Sequence, residues 1–540
     1  MAPAAPRRDH NDVKDAMTTQ LRASGTDRGA LRAGTIAAAL FAVCLAQIGL
    51  AMPATLNGTF QTVFNPTGSE LTWISDCSLL PITVLELTCG VLGDLFGRKR
   101  LLMGGAFLLA IGELISGTAP ASNVHVMWIG QIVAGIGCAA LFPTTLAMLV
   151  GGEASHAKRA RMIALWAAIL STGNFLAPLL GGITATYFSW RIAFFVVLIL
   201  ALGDVAITYF SAQDSRSPQG RSLDPAGQTT IGLGLFALLF AVIQGSADGW
   251  GNPMVVTAFI ASAVLIVAFI LVELRVANPL LRLDLFKNRN FALAAAVTVV
   301  GMFAFLGTAY AISIRMGPIQ GQSSMRTAVA FLLLSGLTIF LLPLTRKLMA
   351  VLAPRWVLGL GFALMAAGNL WAGQLPISDS TLTALILPMG LVGVGFSFAV
   401  SAVTATVVET VPHSLAGMAS ATTSMLRDFG FTLGPAVIGA IATAKAVSLL
   451  NGSLASSGLG AAALGKAHAI LAAGGPIAVL HADPTVAGIA SAALGKAYGL
   501  GFTVAGLAAL VCAIVTVTLL RGTAEESAEE VETAAEPAAA

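Results

Sequence analysis

The amino-acid sequence predicts an all-α polytopic membrane protein with 14 transmembrane helices in a 6+2+6 arrangement. Of its 540 residues, 56% are hydrophobic and only 10% are charged, whereas about a quarter of an ordinary soluble domain is charged. These proportions exclude a water-soluble enzyme. An apolar helix of about 20 residues crosses a bilayer, and apolar runs of suitable length occur at residues 34–56, 73–95, 101–119, 124–150, 162–187, 190–212, 228–246, 254–274, 292–316, 326–345, 356–374, 382–409, 417–444 and 497–520.

The positive charges predict which loops face the cytoplasm. Most of the 29 Lys and Arg residues lie in the first tail and in the loops after every second run, as the positive-inside rule requires when both termini are cytoplasmic. We therefore expect a multi-pass protein of the cell (inner or plasma) membrane. The predicted segments are a disordered cytoplasmic tail 1–33, a six-helix bundle 34–212, a linker 213–275 with two inserted helices, a second six-helix bundle 276–520, and an acidic cytoplasmic tail 521–540.

One outer loop, residues 446–496, is much longer than the others. Its apolar stretches are too short to span a bilayer, so we expect it to form a partly helical cap on the outer side.

A repeated motif indicates that the chain contains two related halves. Gly173, Ala177, Pro178 and Gly182 follow the pattern G-x-x-x-[AG]-P-x-x-x-G, with a further glycine at Gly181. The second copy contains Gly430, Gly434, Pro435 and Gly439. With the runs 228–246 and 254–274 set aside, the copies fall in the fifth helix of each half. Such glycines allow close helix contact and proline bends a helix, although packing alone could also explain them.

The loop after the second run carries three adjacent positive charges. Gly90, Asp94, Gly97, Arg98 and Lys99 lie in the sequence GVLGDLFGRKR. An acid at this membrane edge can accept hydrogen bonds from a neighbouring helix N-terminus and can pair with arginine. We predict an Asp94–Arg98 latch that gates the cytoplasmic side. An ordinary positive-inside turn would explain the cations but not Asp94 or its flanking glycines.

Together these motifs resemble the major facilitator superfamily, and specifically its fourteen-helix drug:proton antiporter branch of the EmrB/QacA type. The loop 90–99 resembles the family's signature loop, and 173–182 resembles the antiporter motif of the fifth helix. Further similar segments are Trp73–Asp76, Ser189–Arg191, Asn278–Pro279, Ala416–Ser420, and Arg427 with Gly430.

The resemblance implies two six-helix bundles that rock around a central cavity and export a lipophilic compound while protons enter. It also implies that Asp94 meets the start of the run 417–444 in the outward-facing state. The sequence departs from the pattern where the family usually has charged residues: Gln131 replaces an arginine, Gln47 and Ile48 stand where an acid is frequent, and Ala350 stands in the degenerate second copy of the loop.

Ionisable side chains inside apolar runs are costly and are therefore candidates for function. We predict proton-coupling or buried-charge roles for Asp76, Glu86, Glu113, Arg427 and Asp428; Asp204 is a weaker candidate. Adjacent helix positions project about 100° apart, so we expect Arg427 and Asp428 to meet different partners. Glu86 lies at a depth similar to that of Arg427, which predicts an interbundle pair.

Each of these acids has an alternative role. Asp76 could face an outer vestibule or cap an interface, and Glu113 and Asp204 could make local hydrogen bonds. Glu86 or Asp428 is predicted to cycle between an apolar environment and one near arginine, which changes its affinity for protons.

The sequence lacks nucleotide-binding and metal-ligand spacings, which favours a transporter that needs no cofactor and uses a proton gradient. Gln47, Gln131 and Asn174 are possible cavity-lining residues. The predicted partners are a small lipophilic substrate and membrane lipids, with neither nucleic acid nor nucleotide, and the protein is expected to be monomeric. The alternative is a lipid or envelope-precursor exporter on the same fold, which need not be proton-coupled. A membrane receptor or scaffold that transports nothing is a remote alternative.

Overall fold

The computed structural model describes residues 32–151, 156–216, 223–276, 279–409, 416–482 and 484–520. Hydrocarbon offers no partners to backbone N–H and C=O groups, so each apolar run satisfies its own backbone by forming a helix. The first seven helices are α1 (Ala33–Ala51), α2 (Asn57–Phe64), α3 (Gly68–Phe96), α4 (Arg98–Thr118), α5 (Val124–Gly151), α6 (His156–Tyr187) and α7 (Trp190–Ser211).

The other helices belong to the inserted pair and to the second half. They are α8 (Pro225–Asp248), α9 (Pro253–Glu273), α10 (Arg289–Ile314), α11 (Ser324–Phe331), α12 (Leu337–Val351), α13 (Pro354–Gln374), α14 (Leu382–Glu409), α15 (Ala416–Ala455), α16 (Ala461–Ala482) and α17 (Pro484–Leu519). A 3-10 turn, Met52–Leu56, joins α1 to α2, and π-helical turns follow α10 and α11. Each of these membrane-spanning units is one continuous helix with a local 3-10 or π-helical turn.

Polar side chains set where several helices begin. The Thr67 hydroxyl accepts a hydrogen bond from the backbone N–H of Glu70, and the Glu70 carboxylate accepts one from the backbone N–H of Thr67 at 2.7 Å. This reciprocal cap starts α3. Other side-chain caps are Ser189, Asp224, Asn252, Asn288 and Ser323.

The outer cap differs from the prediction. In the part of the chain that the structure describes, fifteen helices are long and apolar enough to cross a membrane, and α16 is the additional one. Gly475, with φ 75° and ψ −175°, breaks α16, and neither piece is as long as a membrane span. The helices α15 and α17 extend into the predicted loop because Leu450, Leu454 and small residues of α17 pack against α16. The predicted ends at 444 and 497 are therefore wrong.

The helices pack as two groups, and α8 lies against both of them. In the first half α4 packs on α5 and α7, and α1 packs on α5, α6 and α7; in the second, α13 packs on α14 and α17, and α10 on α15 and α17. α8 contacts both α3 and α15. The Gln228 side chain donates to the carbonyl oxygen of Val84 and also bonds Thr88. The inserted helix thus covers the seam between α3 and α15.

The repeated glycine motif makes equivalent contacts in both halves. A Cβ atom at Gly173 would lie 2.7 Å from the Cβ of Gln47 in α1, and one at the matching Gly430 would meet the carbonyl oxygen of Val299 in α10. A Cβ at Gly434 would lie 2.6 Å from the backbone nitrogen of Gly307, also in α10. In each half the fifth helix therefore touches the first through a glycine. Gly182 instead faces Ala328 of the opposite half. Pro178 and Pro435 both lie inside their helices.

The contact at Gly434 predicts a localised loss of stability. Gly434→Ala places a methyl group against the backbone of α10 and should destabilise the protein by about 1–3 kcal/mol, as overpacking does. The matched control is Gly203→Ala, because a Cβ at Gly203 meets nothing within 4 Å. Thermal unfolding of both variants in detergent measures the difference, and equal unfolding midpoints would contradict the packing described between α10 and α15.

Candidate functional site: a cavity with a carboxyl–arginine cluster

The membrane-edge loop brings Asp94 and Arg98 together. Arg98 donates from Nη2 to Asp94 Oδ1 at 2.7 Å and from Nε to the same oxygen at 3.2 Å. Its Nη1 donates to the carbonyl oxygen of Ala147 in α5 at 3.0 Å. Arg98 therefore ties α3, α4 and α5 into one unit at this edge.

The neighbouring residues of the loop have distinct environments. Gly97 has φ 112°, and a Cβ there would lie 2.8 Å from the Asp214 carboxylate, so this turn needs glycine. Lys99 donates from Nζ to the carbonyl oxygen of Tyr209. Gly90 lies in α3 opposite Pro143, where a Cβ would be accommodated at 3.7 Å.

Some predicted features fall outside the described residues. These are the tails 1–31 and 521–540, Asn278, and the side chains of 408–421, which include Ala416–Ser420 and the predicted meeting point of Asp94 with the start of α15.

A cavity of about 200 Å³ lies between the two groups of helices. Its wall is largely aromatic and aliphatic, and Gln47 and Asn174 form a polar patch in which Gln47 Nε2 donates to Asn174 Oδ1 at 2.8 Å. Phe305 and Phe396 stack face to face at the opposite side. Other lining residues are Ser75, Ser78, Ile82, Phe142, Trp166, Tyr310, Phe331, Arg427, Asp428, Phe431 and Pro435. Such a lining suits a lipophilic ligand with few polar groups.

Direct contacts between the two halves close the end of this cavity that lies toward α2 and the start of α3. Asn57 Nδ2 donates to Ser313 Oγ at 2.9 Å, and the hydroxyls of Thr72 and Tyr310 are 2.7 Å apart. Gly58 and Gly317 meet backbone to backbone, because a Cβ on Gly58 would lie 2.8 Å from the Gly317 Cα. The halves must separate here before this end of the cavity can open.

Glu86, Asp428 and Arg427 form a cluster beside the cavity. Glu86 lies close enough to Asp428 and Arg427 to interact electrostatically with both, and Glu86 and Asp428 are each less than 9% exposed. Glu86 Oε2 has no hydrogen-bond partner among the described residues. Arg427 donates from Nε to Asp428 Oδ1 at 2.8 Å and from Nη2 to Oδ2 at 3.2 Å. One turn away on each helix, the hydroxyls of Thr83 and Thr432 are 2.7 Å apart. Helices α3 and α15 thus share a polar contact across the seam.

This arrangement corrects the prediction for Arg427. The adjacent residues Arg427 and Asp428 do not meet different partners, because the long guanidinium side chain folds back onto its neighbour. Glu86 lies close enough to Arg427 for electrostatic interaction, but the guanidinium of Arg427 donates its hydrogen bonds to Asp428. The site therefore holds two carboxyl groups and one cation.

The remaining buried acids are enclosed more tightly than predicted. Asp76, Glu113 and Asp204 are fully buried, and none of their carboxyl oxygens has a hydrogen-bond partner among the described residues. Asp76 is therefore neither in an open vestibule nor an interfacial cap, since α3 begins eight residues earlier at Gly68. The local hydrogen bonds considered for Glu113 and Asp204 are not formed. A Cβ on Gly49 would lie 2.9 Å from Glu113 Oε1, which places this carboxyl between α1 and α4.

Gln131 is not a cavity residue. Its Nε2 donates to Ser116 Oγ at 3.0 Å, and the residue is 1% exposed between α4 and α5. Hydropathy alone cannot show which face of a buried helix lines a cavity. The prediction that Gln131 lines the cavity was therefore wrong, whereas Gln47 and Asn174 do line it.

Sequence reasoning missed Arg315. This residue is 1% exposed, and its guanidinium donates to the carbonyl oxygens of Leu375 and Pro376 at 3.1 and 2.7 Å. Its position at the end of a run made it resemble a charge at the membrane surface. Arg315 is the first residue of a π-helical turn.

Comparison with known proteins gives one matching family model and many relatives. The model for the Major Facilitator Superfamily matches residues 39–435. The multidrug resistance protein Stp of Mycobacterium tuberculosis is 29% identical over 69% of this chain and 69% of its own length. The tetracenomycin C resistance and export protein of Streptomyces glaucescens is 25% identical over 92% of this chain and 93% of its own. A solved bacterial homologue of the human lysosomal transporter Spinster, 14% identical, superposes with a TM-score of 0.61 over 90% of this chain and 97% of that one.

The contacts of Arg98 predict that replacing it destabilises the protein more than replacing the adjacent Lys99. Arg98→Leu removes the hydrogen bonds to Asp94 and to Ala147 and should destabilise the protein by about 1–3 kcal/mol. Lys99→Leu, which removes one exposed hydrogen bond to a carbonyl, should change stability by less than about 1 kcal/mol. Thermal unfolding in detergent compares the two, and a larger effect of the Lys99 substitution would contradict the role assigned to Arg98.

Proposed function

The chain belongs to the Major Facilitator Superfamily, and from that premise we propose that it exports a hydrophobic or amphiphilic small molecule in exchange for protons. Membership of this family makes it a multi-pass membrane transporter rather than an enzyme. Relatives named for multidrug resistance and for antibiotic resistance and export support the outward direction. The largely apolar cavity supports a lipophilic substrate.

The proposal of proton exchange rests on the buried pair of carboxyl groups, Glu86 and Asp428. Burying an ionised carboxylate without a paired cation is costly, and this cluster holds two buried carboxyl groups but one arginine. The cluster therefore favours one exchangeable proton on the two carboxyl groups at the cavity wall. Arg427 bonds Asp428 and stabilises its ionised form. Glu86 and Asp428 lie on helices of opposite halves, so separating the halves would move the two carboxyl groups apart.

A cycle of alternating access follows from this geometry. With the outer contacts made, as in the described state, the carboxyl pair holds its proton. When the halves separate on the outer side, substrate leaves outward and the carboxyl groups take up one proton from that side. Return of the halves brings the carboxyl pair back together, and the proton is released inward when substrate binds the cavity. The Asp94–Arg98 latch holds α3 as a rigid element during this movement.

Several further assignments belong to the same proposal. The moving bodies are residues 34–212 and 276–520, and the linker 213–275 with α8 and α9 stays against their seam. The N- and C-terminal tails are cytoplasmic. The protein works as a monomer among membrane lipids, without a cofactor, and takes its energy from the proton gradient.

Substitution of the carboxyl pair tests proton coupling. Glu86→Gln and Asp428→Asn each remove the exchangeable proton and should abolish accumulation of a lipophilic fluorescent cation in proteoliposomes with an acidic lumen. The same variants should retain gradient-independent exchange of labelled for unlabelled compound within about threefold of wild type, because the cavity is left in place.

Asp204→Asn is the matched control, since Asp204 is an equally buried acid that does not line the cavity. It should accumulate the compound as wild type does. Full gradient-driven accumulation by Glu86→Gln and Asp428→Asn would exclude these two residues from coupling. Wild-type accumulation that is insensitive to the pH gradient would exclude proton exchange altogether.

A further inference from the structure

A second and larger cavity lies at the outer ends of the helices. It has a volume of about 940 Å³ and is lined by the N-terminal turns of α3 and α5, the C-terminal part of α8, the outer part of α15, and the kinked helix α16. Its α16 wall includes the kink at Gly475 and Pro476. The inserted helix and the outer cap, neither of which has a role in the transport cycle above, therefore both contribute to this outer pocket.

Aromatic rings form one wall of the outer pocket. Trp73 of α3 lies at the centre, with ring centroids 6.3 Å from Trp128, 6.1 Å from Phe236 and 6.5 Å from Phe240. His125 contacts the Trp128 ring edge to face at 4.6 Å. The faces of such rings carry partial negative charge and attract organic cations.

The charges of the outer pocket have one sign. Apart from His125 and His468, its ionisable lining residues are Glu70 and Asp248, and none of the lining residues is Lys or Arg. The Asp248 carboxylate accepts a hydrogen bond from Gln244 at 3.1 Å and is otherwise exposed. A phosphate headgroup would find no cationic partner here. A cation with apolar substituents would meet both an aromatic wall and two carboxylates.

Helix α3 separates the outer pocket from the central cavity. Ser75 and Ser78 face the central cavity, whereas Trp73 and Cys77 face the outer pocket. Asp76 lies in this wall, fully buried, and both carboxyl oxygens lack a hydrogen-bond partner among the described residues. The two cavities are thus neighbours across a single helix of the seam.

We propose that the outer pocket is a binding site for lipophilic organic cations, which occupy it after leaving the central cavity and before release from the outer face. The site gives the exporter a substrate preference: cations with aromatic or bulky apolar groups are favoured over neutral compounds of the same shape. This assignment rests on the export function proposed above, and its test uses binding rather than proton-driven transport.

The test measures equilibrium binding of radiolabelled tetraphenylphosphonium to the full-length protein in zwitterionic nanodiscs at pH 8, above the usual titration range of histidine. Trp128→Phe and Trp128→Leu both lose the hydrogen bond from Trp128 Nε1 to the Glu70 carbonyl, but only the leucine variant lacks an aromatic face. Trp128→Leu and Asp248→Asn should each weaken binding about three- to tenfold. Trp128→Phe should bind within about twofold of wild type.

A neutral analogue, triphenylphosphine oxide, separates charge recognition from simple apolar filling. Its affinity should be unchanged by Asp248→Asn. Equal weakening of both compounds by this substitution would overturn the proposal, and so would unchanged phosphonium binding in both Trp128→Leu and Asp248→Asn. Native mass spectrometry gives an independent check, since a phospholipid retained in the pocket and not displaced by phosphonium would also overturn it.

The two proposals fail in different assays. Loss of proton-driven accumulation in wild type would refute antiport while leaving the binding ratios of these variants intact. Normal accumulation with unchanged phosphonium binding in the variants would refute only the outer pocket.

Discussion

The cost of placing polar groups in hydrocarbon is the constraint on which the rest of this structure depends. Each unsatisfied backbone group costs several kcal/mol in a bilayer, so the apolar runs become helices that satisfy their own backbones. The same cost applies to side chains. This cost is reduced for three charged residues that cluster with one another beside the cavity, Glu86, Asp428 and Arg427. The charged cluster therefore favours contact between α3 and α15, and any separation of the two halves must include a new arrangement of these three groups.

Helix α3 connects most of the features that bear on function. Its outer turn carries Trp73 in the outer pocket, its middle carries Glu86, and its inner end carries Asp94 bonded to Arg98. The reciprocal cap at Thr67 and the contacts of Arg98 anchor its two ends.

The inserted helix α8 has a defined place in this arrangement. It lies on α3 and α15 and bonds the exposed carbonyl oxygen of Val84 through Gln228, and a Cβ on Gly232 would lie 2.9 Å from the Val84 side chain. Leu239 and Ile243 of α8 pack with Trp73, Cys77 and Ala436 in one cluster. A seam that would otherwise face lipid is covered, which keeps lipid away from the polar residues of α3 and α15.

The amino-acid sequence by itself determined the membrane class, nearly all of the spanning helices, the repeated glycine motif and the Asp94–Arg98 pair. These features depend on hydropathy or on residues four apart in one segment, and both can be recognised without knowing the neighbouring helices. Only the tertiary structure decided that Arg427 bonds Asp428 beside Glu86, that Gln131 is enclosed between α4 and α5, and that α16 bends at Gly475 to cover an outer pocket. In a bilayer, lipid and protein interior are equally apolar, so composition does not reveal which face of a helix meets a partner, a cavity or the hydrocarbon.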